Sequence, residues 1–356
     1  GTGISQLALA RIKATGLNGK LYIEKMPITG LSRTHSANAT VTDSAAGGTA
    51  LACGIKTNNG TLGMNPDGVA YQSILEAAKE EGMKTGLVVT STISHATPAS
   101  FASHVKSRGS EAEIASQLLA NKVNVMFGGG KQCWLPKSAE GSKREDERNL
   151  IEEAKSQGYL WVNDSNELAK ATGDYVLGLF QMDALTTFSP EPSLPQMTEA
   201  ALRILTEKNK ESLFKDKFKI NTKALKRDKG FFMMIEGSQI DWACHGNNAD
   251  NCIKQALLFD QAVKAAIDFA LEDKNTLVIV TADHETGGLV INGGNEKGEN
   301  IDVKWTSGGH SGTPVPVYAF GPGAEKFSGV MDNTEIPQKI AKLIGVKEFP
   351  KIKKND

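Results

Sequence analysis

Runs of consecutive apolar residues alternate with stretches of helical periodicity along the chain. Lys84–Ser91 (KTGLVVTS) reads as a buried strand, preceded by a helical pattern over Tyr71–Glu81 that stops at Gly82. Val123–Phe127 predicts a second strand, running into Gly128-Gly129-Gly130. Tyr159–Asn163 and Tyr175–Phe180 predict two more, separated by a helix over Ser165–Thr172. Phe231–Ile235 (FFMMI) is a fifth, followed by a long helical pattern from about Asn251 to Leu271. Thr276–Thr281 (TLVIVT) is the clearest buried strand, and Val315–Phe320 predicts the last. These strands are continuously apolar rather than alternating, so both faces must be covered. The pattern therefore predicts an α/β fold, a mostly parallel central sheet with helices on both faces.

The segments between are polar. Lys143–Glu153 mixes both charge signs at helical spacing and reads as an exposed helix, and the proline-rich Ser189–Pro195 as a loop. Glu207–Lys229 is rich in lysine and reads as a solvated helix face or surface insertion. No internal repeat and no composition shift divides the chain. Residues 1–356 are expected to form one domain with surface insertions around 131–230.

Composition narrows the function classes. Forty basic residues against 41 acidic give a net charge of −1, which argues against a nucleic-acid-binding surface. Hydrophobic residues at 40% and charged residues at 23% exclude disorder, collagen and coiled coil. No apolar run approaches the roughly 18 residues of a membrane span. Cys53, Cys133, Cys244 and Cys252 are too few for a disulfide scaffold, and their pairing is left open. The chain opens at Gly1 without a methionine or a basic-plus-apolar leader, as expected of a processed or shortened sequence.

In open α/β sheets ligands bind beyond the carboxyl ends of the strands. Three strand ends carry oxygen and imidazole groups: Glu236 through Asp241 and His245 after FFMMI, Asp283-His284 after TLVIVT, and His95 and Thr97 after GLVVT. Asp241 and His245, four apart, share one face if Asp241 opens a helical turn. His310 sits in a glycine-rich loop, Ser307-Gly-Gly-His310-Ser-Gly. One such histidine is most often a hydrogen-bonded structural residue. The set, carboxylate and imidazole without a Cys-x-x-Cys pair, points to catalytic zinc with an open coordination position.

A nucleophile candidate lies in Val41-Thr-Asp43-Ser44-Ala-Ala-Gly-Gly, a turn leading into a helix of small residues. Free N–H groups at that helix start favour an alkoxide or a bound phosphate. The plainer role for Asp43 or Ser44 is the helix cap. Arg108, in His104-Val-Lys-Ser-Arg108, offers a bidentate guanidinium, although a surface salt bridge is the ordinary role of such a residue.

Together these residues resemble the alkaline phosphatases, from Gly1 to about Ile344. The anchors are Thr42-Asp43-Ser44-Ala45, His95-Ala-Thr97-Pro98, Ser107-Arg108, Glu236-Gly-Ser-Gln-Ile-Asp241, Thr281-Ala-Asp283-His284 and Gly309-His310. The resemblance implies hydrolysis of varied phosphate monoesters at alkaline pH, with Ser44 becoming phosphoserine. Asp241, His245 and His310 would hold one Zn²⁺, and Asp283 and His284 a second that binds Ser44 Oγ. Thr97 and Glu236 would hold a third ion, usually Mg²⁺, and Arg108 would clamp two phosphate oxygens. It also implies an exported enzyme, periplasmic or extracellular, and a homodimer.

The chain departs from the family pattern in two places. His95 and Trp242 stand near the third metal where some members have Asp and Lys, so His95 is expected to ligate that ion directly or through water. The family also has an apolar strand ending in Gly-Asp-Gly, whose aspartate bridges the second zinc and the third metal; here the sequence opens at Gly1-Thr2-Gly3. This reads as a shortened sequence of an active enzyme; taken as written, the chain is expected to bind those two ions weakly, to have little activity and to leave the neighbouring strands unpaired. The rival readings are a non-catalytic metal- or phosphate-binding remnant and a phosphodiesterase of the same superfamily.

Overall fold

Strands that are apolar on every residue need two covered faces, and the chain supplies them. The computed structural model describes residues 1–207, 229–295 and 297–354. Most of the lysine-rich stretch Glu207–Lys229 lies outside the described residues. Strand β1 (Ile28–Arg33) precedes the five that build the parallel sheet: β2 (Lys84–Thr92), β3 (Val125–Gly129), β4 (Leu160–Val162), β5 (Val176–Leu179) and β6 (Phe231–Glu236). Their order is β4-β5-β3-β2-β6, every pairing parallel. Leu87, Val89, Met126, Leu177 and Leu179 join one core, which the helices Ile74–Glu80 and Glu111–Ala120 cover with Ile74, Leu75, Ile114 and Leu118. Val88, Val125, Phe127 and Val176 join the other, under the helix Leu194–Thr206. Helix Ala249–Asp273 adds Ala262 to that second layer.

The later strands form a second sheet. Strands β7 (Val278–Val280), β12 (Val315–Phe320) and β13 (Gly329–Asp332) combine with β1 in the order β13-β1-β12-β7. Here β12 runs antiparallel to both β1 and β7, while β1 and β13 are parallel. Two small ribbons pair β8 (Glu285–Thr286) with β11 (His310–Ser311) and β9 (Leu289–Gly293) with β10 (Asp302–Trp305). Strands β6 and β7 are the outer strands of their sheets, and both line one slot of about 1140 Å³. No described helix is long and apolar enough to cross a membrane.

Several expectations shift for local physical reasons. The helix before β2 starts at Ile74, not Tyr71, because Ser73 and Glu76 form a capping box and Tyr71 bridges to Ile352. The stretch Lys143–Glu153 is not one exposed helix. The helix begins at Leu150, and Arg144 is buried, its guanidinium held by Asp146 and by the carbonyls of Ala112 and Cys133. The loop Ser189–Pro195 ends early: Ser193 caps the next helix, and Pro195 sits in its first turn, where a missing N–H is harmless. Strand β13 follows β12, with only Met331 buried along it, too little apolar signal to predict a strand. All four cysteines are free and buried, and the Sγ atoms of Cys244 and Cys252 lie 3.6 Å apart.

A buried carboxylate ties the first layer together. Glu76 accepts from the Ser73 backbone N–H, Asn121 Nδ2, Lys353 Nζ and His104 Nε2. Burial pushes its carboxyl up, but His104 and Lys353 outweigh it and hold the pKa at about 2. A depressed carboxylate stabilises above its unfolded value near 4.5, and that stability fades as pH falls through about 2. Glu76→Gln is therefore expected to lower stability at pH 7 by about 3 kcal/mol. Urea unfolding from pH 7 to pH 2 measures this: the gap between variant and parent should close across the acid range. A gap independent of pH would contradict the assignment.

Candidate active site

The site forms where the two sheets present their carboxyl ends. Ser44 opens the helix Ser44–Cys53, and Asp43 is its cap: Asp43 Oδ1 accepts from the Ala46 N–H at 2.9 Å. Capping by Asp43 frees the Ser44 hydroxyl, whose Oγ lies 3.1 Å from His284 Nε2 in a buried position. The helix can approach this closely because it is made of small residues. A Cβ at Gly47 would stand 3.0 Å from the Asp283 carbonyl, and one at Gly48 would stand 2.8 Å from Ser100 Oγ.

Helix Gln239–His245 carries Asp241 in its first turn and His245 at its end, so both face the same way, with His245 Nε2 3.4 Å from Asp241 Oδ2. His310 arrives by a different route. Strand β11 pairs with β8, setting His310 opposite Thr286 and bringing its Nε2 to 3.1 Å from His245 Nε2 and 3.7 Å from Asp241 Oδ1. The ligand atoms of Asp241, His245 and His310 all lie within 4.8 Å of one another. Both imidazoles place Nδ1 against a carbonyl, His245 on Gly308 at 2.7 Å and His310 on Thr42 at 2.8 Å. Each Nδ1 must therefore carry the proton, and two Nε2 lone pairs face each other beside a carboxylate. A cation resolves that repulsion, so the donor set fits a metal.

The same reasoning fixes His284. Thr286 Oγ1 donates to Asp241 Oδ1 at 2.6 Å, so its contact with His284 Nδ1 at 3.2 Å is one it accepts. His284 Nδ1 then carries a proton, and its Nε2 lies 3.1 Å from Ser44 Oγ and 3.0 Å from Asp283 Oδ2. Burial works against Asp283, but His284, whose Nε2 lies 3.0 Å from its Oδ2, holds it well below the usual range. Burial and then His284 lower His310, keeping it neutral and available as a ligand.

A third group sits behind. Burial, aided by the charge of Asp283, pushes Glu236 up to about 7 despite the Ser238 hydroxyl 2.7 Å from its Oε2. Thr97 Oγ1 is buried beside Glu236 without a well-formed hydrogen bond, an oxygen pair suited to a hard cation. His95 also meets the arginine: Arg108 Nη2 donates to His95 Nε2 at 3.2 Å, burial and then Arg108 lower its pKa, and its buried Nδ1 has no hydrogen-bond partner among the described residues. Trp242 stacks edge-on to His95 at 5.9 Å on the exposed rim. Arg108 also reaches Asp43 Oδ2 at 3.0 Å, which couples the arginine to the cap of the Ser44 helix.

Sequence reasoning missed Thr286, although it follows Asp283-His284-Glu285 directly, which was a usable signal.

Residues 1–301 and 295–346 match the family described as alkaline phosphatase. The chain belongs to the alkaline phosphatase family. It is 35% identical to alkaline phosphatase 4 of Bacillus subtilis, over 92% of this chain and 82% of that one. Its fold superposes on the alkaline phosphatase of the Antarctic bacterium TAB5 with a TM-score of 0.83 and 35% identity, covering 98% and 96% of the two chains. A variant of that Antarctic enzyme, with a histidine replaced by glutamate, holds Mg in a site called M3; it matches with a TM-score of 0.81 and 34% identity over the same shares. The chain is accordingly a phosphatase, and its reaction is phosphomonoester hydrolysis.

Proposed function

We propose that the enzyme hydrolyses phosphate monoesters of varied alcohols, with an alkaline optimum, through a phosphoserine at Ser44. The observation that carries this reading is Ser44 Oγ, freed by the Asp43 cap and 3.1 Å from His284 Nε2. In the first displacement Ser44 Oγ gives its proton to solvent and bonds to phosphorus as the ester oxygen leaves with its electron pair and takes a proton from solvent. In the second, a water oxygen loses a proton and bonds to phosphorus as the Ser44 Oγ–P bond breaks and Ser44 Oγ is reprotonated. Two inversions give net retention. The Ser44 helix start and Arg108 would hold the phosphoryl oxygens, contacts that ignore the alcohol and so favour a broad substrate range.

Asp241, His245 and His310 would hold one Zn²⁺, Asp283 and His284 a second, and Thr97 with Glu236 an Mg²⁺. Bound there, such ions supply charge neutralisation at the entering and leaving oxygens. The Mg-bearing variant of the Antarctic enzyme supports magnesium in the third place. Family resemblance alone supports export and a homodimer. The test is turnover of a chromogenic monoester after chelation and after return of Zn²⁺ and Mg²⁺, with acid quench and peptide mass analysis. Metal-restored turnover and one phosphoryl group on the Ser44 peptide are expected; hydrolysis without a labelled serine would refute the covalent route.

Thr286 joins Asp241 and His284 through one hydroxyl. Thr286→Val keeps the shape and removes that oxygen, so Zn²⁺ affinity is expected to fall about 10- to 100-fold. Competition against a chromogenic chelator reads this directly, and an unchanged affinity would remove Thr286 from the site.

A further inference from the structure

The three residues that lead into Ser44 are held by a side chain from beyond its helix. Asn59 lies exposed in a turn after the helix Ser44–Cys53. Its Nδ2 donates to the Val41 carbonyl at 3.1 Å, and its Oδ1 accepts from the Asp43 N–H at 3.1 Å. One planar amide thus pairs with the backbone on both sides of Thr42, as a neighbouring strand would. A carboxylate there would lack the donor and an ammonium the acceptor. The Thr42 carbonyl, between those two contacts, meets His310 Nδ1 at 2.8 Å. Three successive residues are therefore fixed, and the next is Ser44.

The same turn holds the arginine. Gly60 donates its N–H to Asp43 Oδ2 at 3.0 Å, and its carbonyl accepts from the Arg108 N–H at 2.8 Å. Asp43 Oδ2 in turn accepts from Arg108 Nη1. The turn is itself tied down: the Asn59 N–H donates to Asn38 Oδ1 at 3.0 Å, and the Ser36 hydroxyl donates to that same oxygen. Ser44, Arg108 and His310 come from distant parts of the sequence, and Asn59-Gly60 is where their supports meet. A displacement of about 1 Å at a reacting group can cost about 10² in rate, whereas two hydrogen bonds at the surface contribute little to folding. A residue in this place acts on kcat more than on stability.

We propose that Asn59 is a positioning residue of this site: its amide sets the path of Val41–Asp43 and thereby the placing of Ser44 Oγ relative to Arg108. The inference rests on the reading of Ser44 as nucleophile and Arg108 as the phosphate clamp.

Asn59→Leu keeps the size of the side chain and removes both hydrogen bonds. In the full chain supplied with Zn²⁺ and Mg²⁺, kcat for a chromogenic monoester should fall at least about tenfold. The inhibition constant of inorganic phosphate should rise about threefold or more, while the melting temperature drops by no more than about 4 °C. Hydrogen exchange at the Asp43 amide should quicken at least about tenfold, a readout that does not depend on turnover. Asn65→Leu is the matched control. Asn65 Oδ1 accepts from the Val69 N–H at 2.8 Å, and the hydrogen bonds of Asn65 reach only residues 67–69. Its loss should lower the melting temperature by a similar amount and leave kcat within about twofold.

An unchanged kcat in Asn59→Leu would overturn the proposal. So would an equal loss of kcat in Asn65→Leu, which would mean a general loosening of the fold, or a loss of kcat with exchange at Asp43 unchanged. Failure of the underlying reading looks different: Ser44→Ala would then stay active. If this inference alone fails, Ser44→Ala is inactive and Asn59→Leu turns over as the parent does.

Discussion

Ser44→Ala is expected to lower kcat/KM for a chromogenic phosphate monoester by at least about 10³-fold, with thermal stability unchanged within about 0.5 kcal/mol. The two halves of that expectation come from one feature. Asp43, and not Ser44, satisfies the orphan N–H of the helix start, so alanine at 44 removes no cap and is itself a good helix former. The lost hydroxyl is the one facing His284 Nε2. Residual hydrolysis would come from direct attack by water on a phosphate still held by Arg108 and the helix start. Steady-state kinetics and a melting curve on the same preparation decide the matter. Retention of more than about a tenth of the activity would exclude Ser44 as nucleophile, and a large drop in melting temperature would return it to a structural role.

Much of this site was legible because its residues lie next to the strongest local signals. Asp283-His284 follows a run of β-branched residues, and Asp241 and His245 have the spacing of one helical face, so strand end and helix turn place them without long-range knowledge. His310 is different. Its approach to His245 depends on a two-residue strand pairing with Glu285–Thr286, too short to leave a periodic trace. His95 follows a strand and so stood out as an imidazole near the site, but that its Nε2 accepts from Arg108 follows only from where the arginine folds back.

The fold shows the same division. Apolar runs gave β2, β3, β5 and β6 within a residue or two; the first three are buried along nearly their whole length, and β6 is half-exposed. The run Thr276–Thr281 yields only three paired residues, because among the described residues β7 is bonded to β12 alone. Lys143–Glu153 misled because charge at helical spacing signals exposure, whereas Arg144 turns inward onto backbone carbonyls. A guanidinium with five donors can be satisfied inside, and nothing in the local pattern says so.

Arg108 and Asp43 form the second decisive pair. Arg108→Ala is expected to reduce kcat/KM by about 10²- to 10³-fold, the scale of losing a charge-assisted donor aimed at the reacting group. Asp43→Ala acts through its neighbours: Oδ1 caps the Ser44 helix, while Oδ2 holds both the Gly60 N–H and Arg108 Nη1. Its loss should cost about 1 kcal/mol of stability through the cap and about tenfold in kcat/KM through the freed guanidinium. The two effects separate in a double-mutant cycle. In the Arg108→Ala background, Asp43→Ala should still cost the same stability but almost no further activity, since there is no guanidinium left to orient. If instead the activity losses multiply, Asp43 acts on Ser44 through the helix start and not on Arg108. Arg108→Lys sharpens the test, because it keeps the charge without the fork: a variant that binds inorganic phosphate nearly as the parent does, yet turns over tenfold or more slowly, would show that the geometry held by Asp43, and not charge alone, is what the reaction uses.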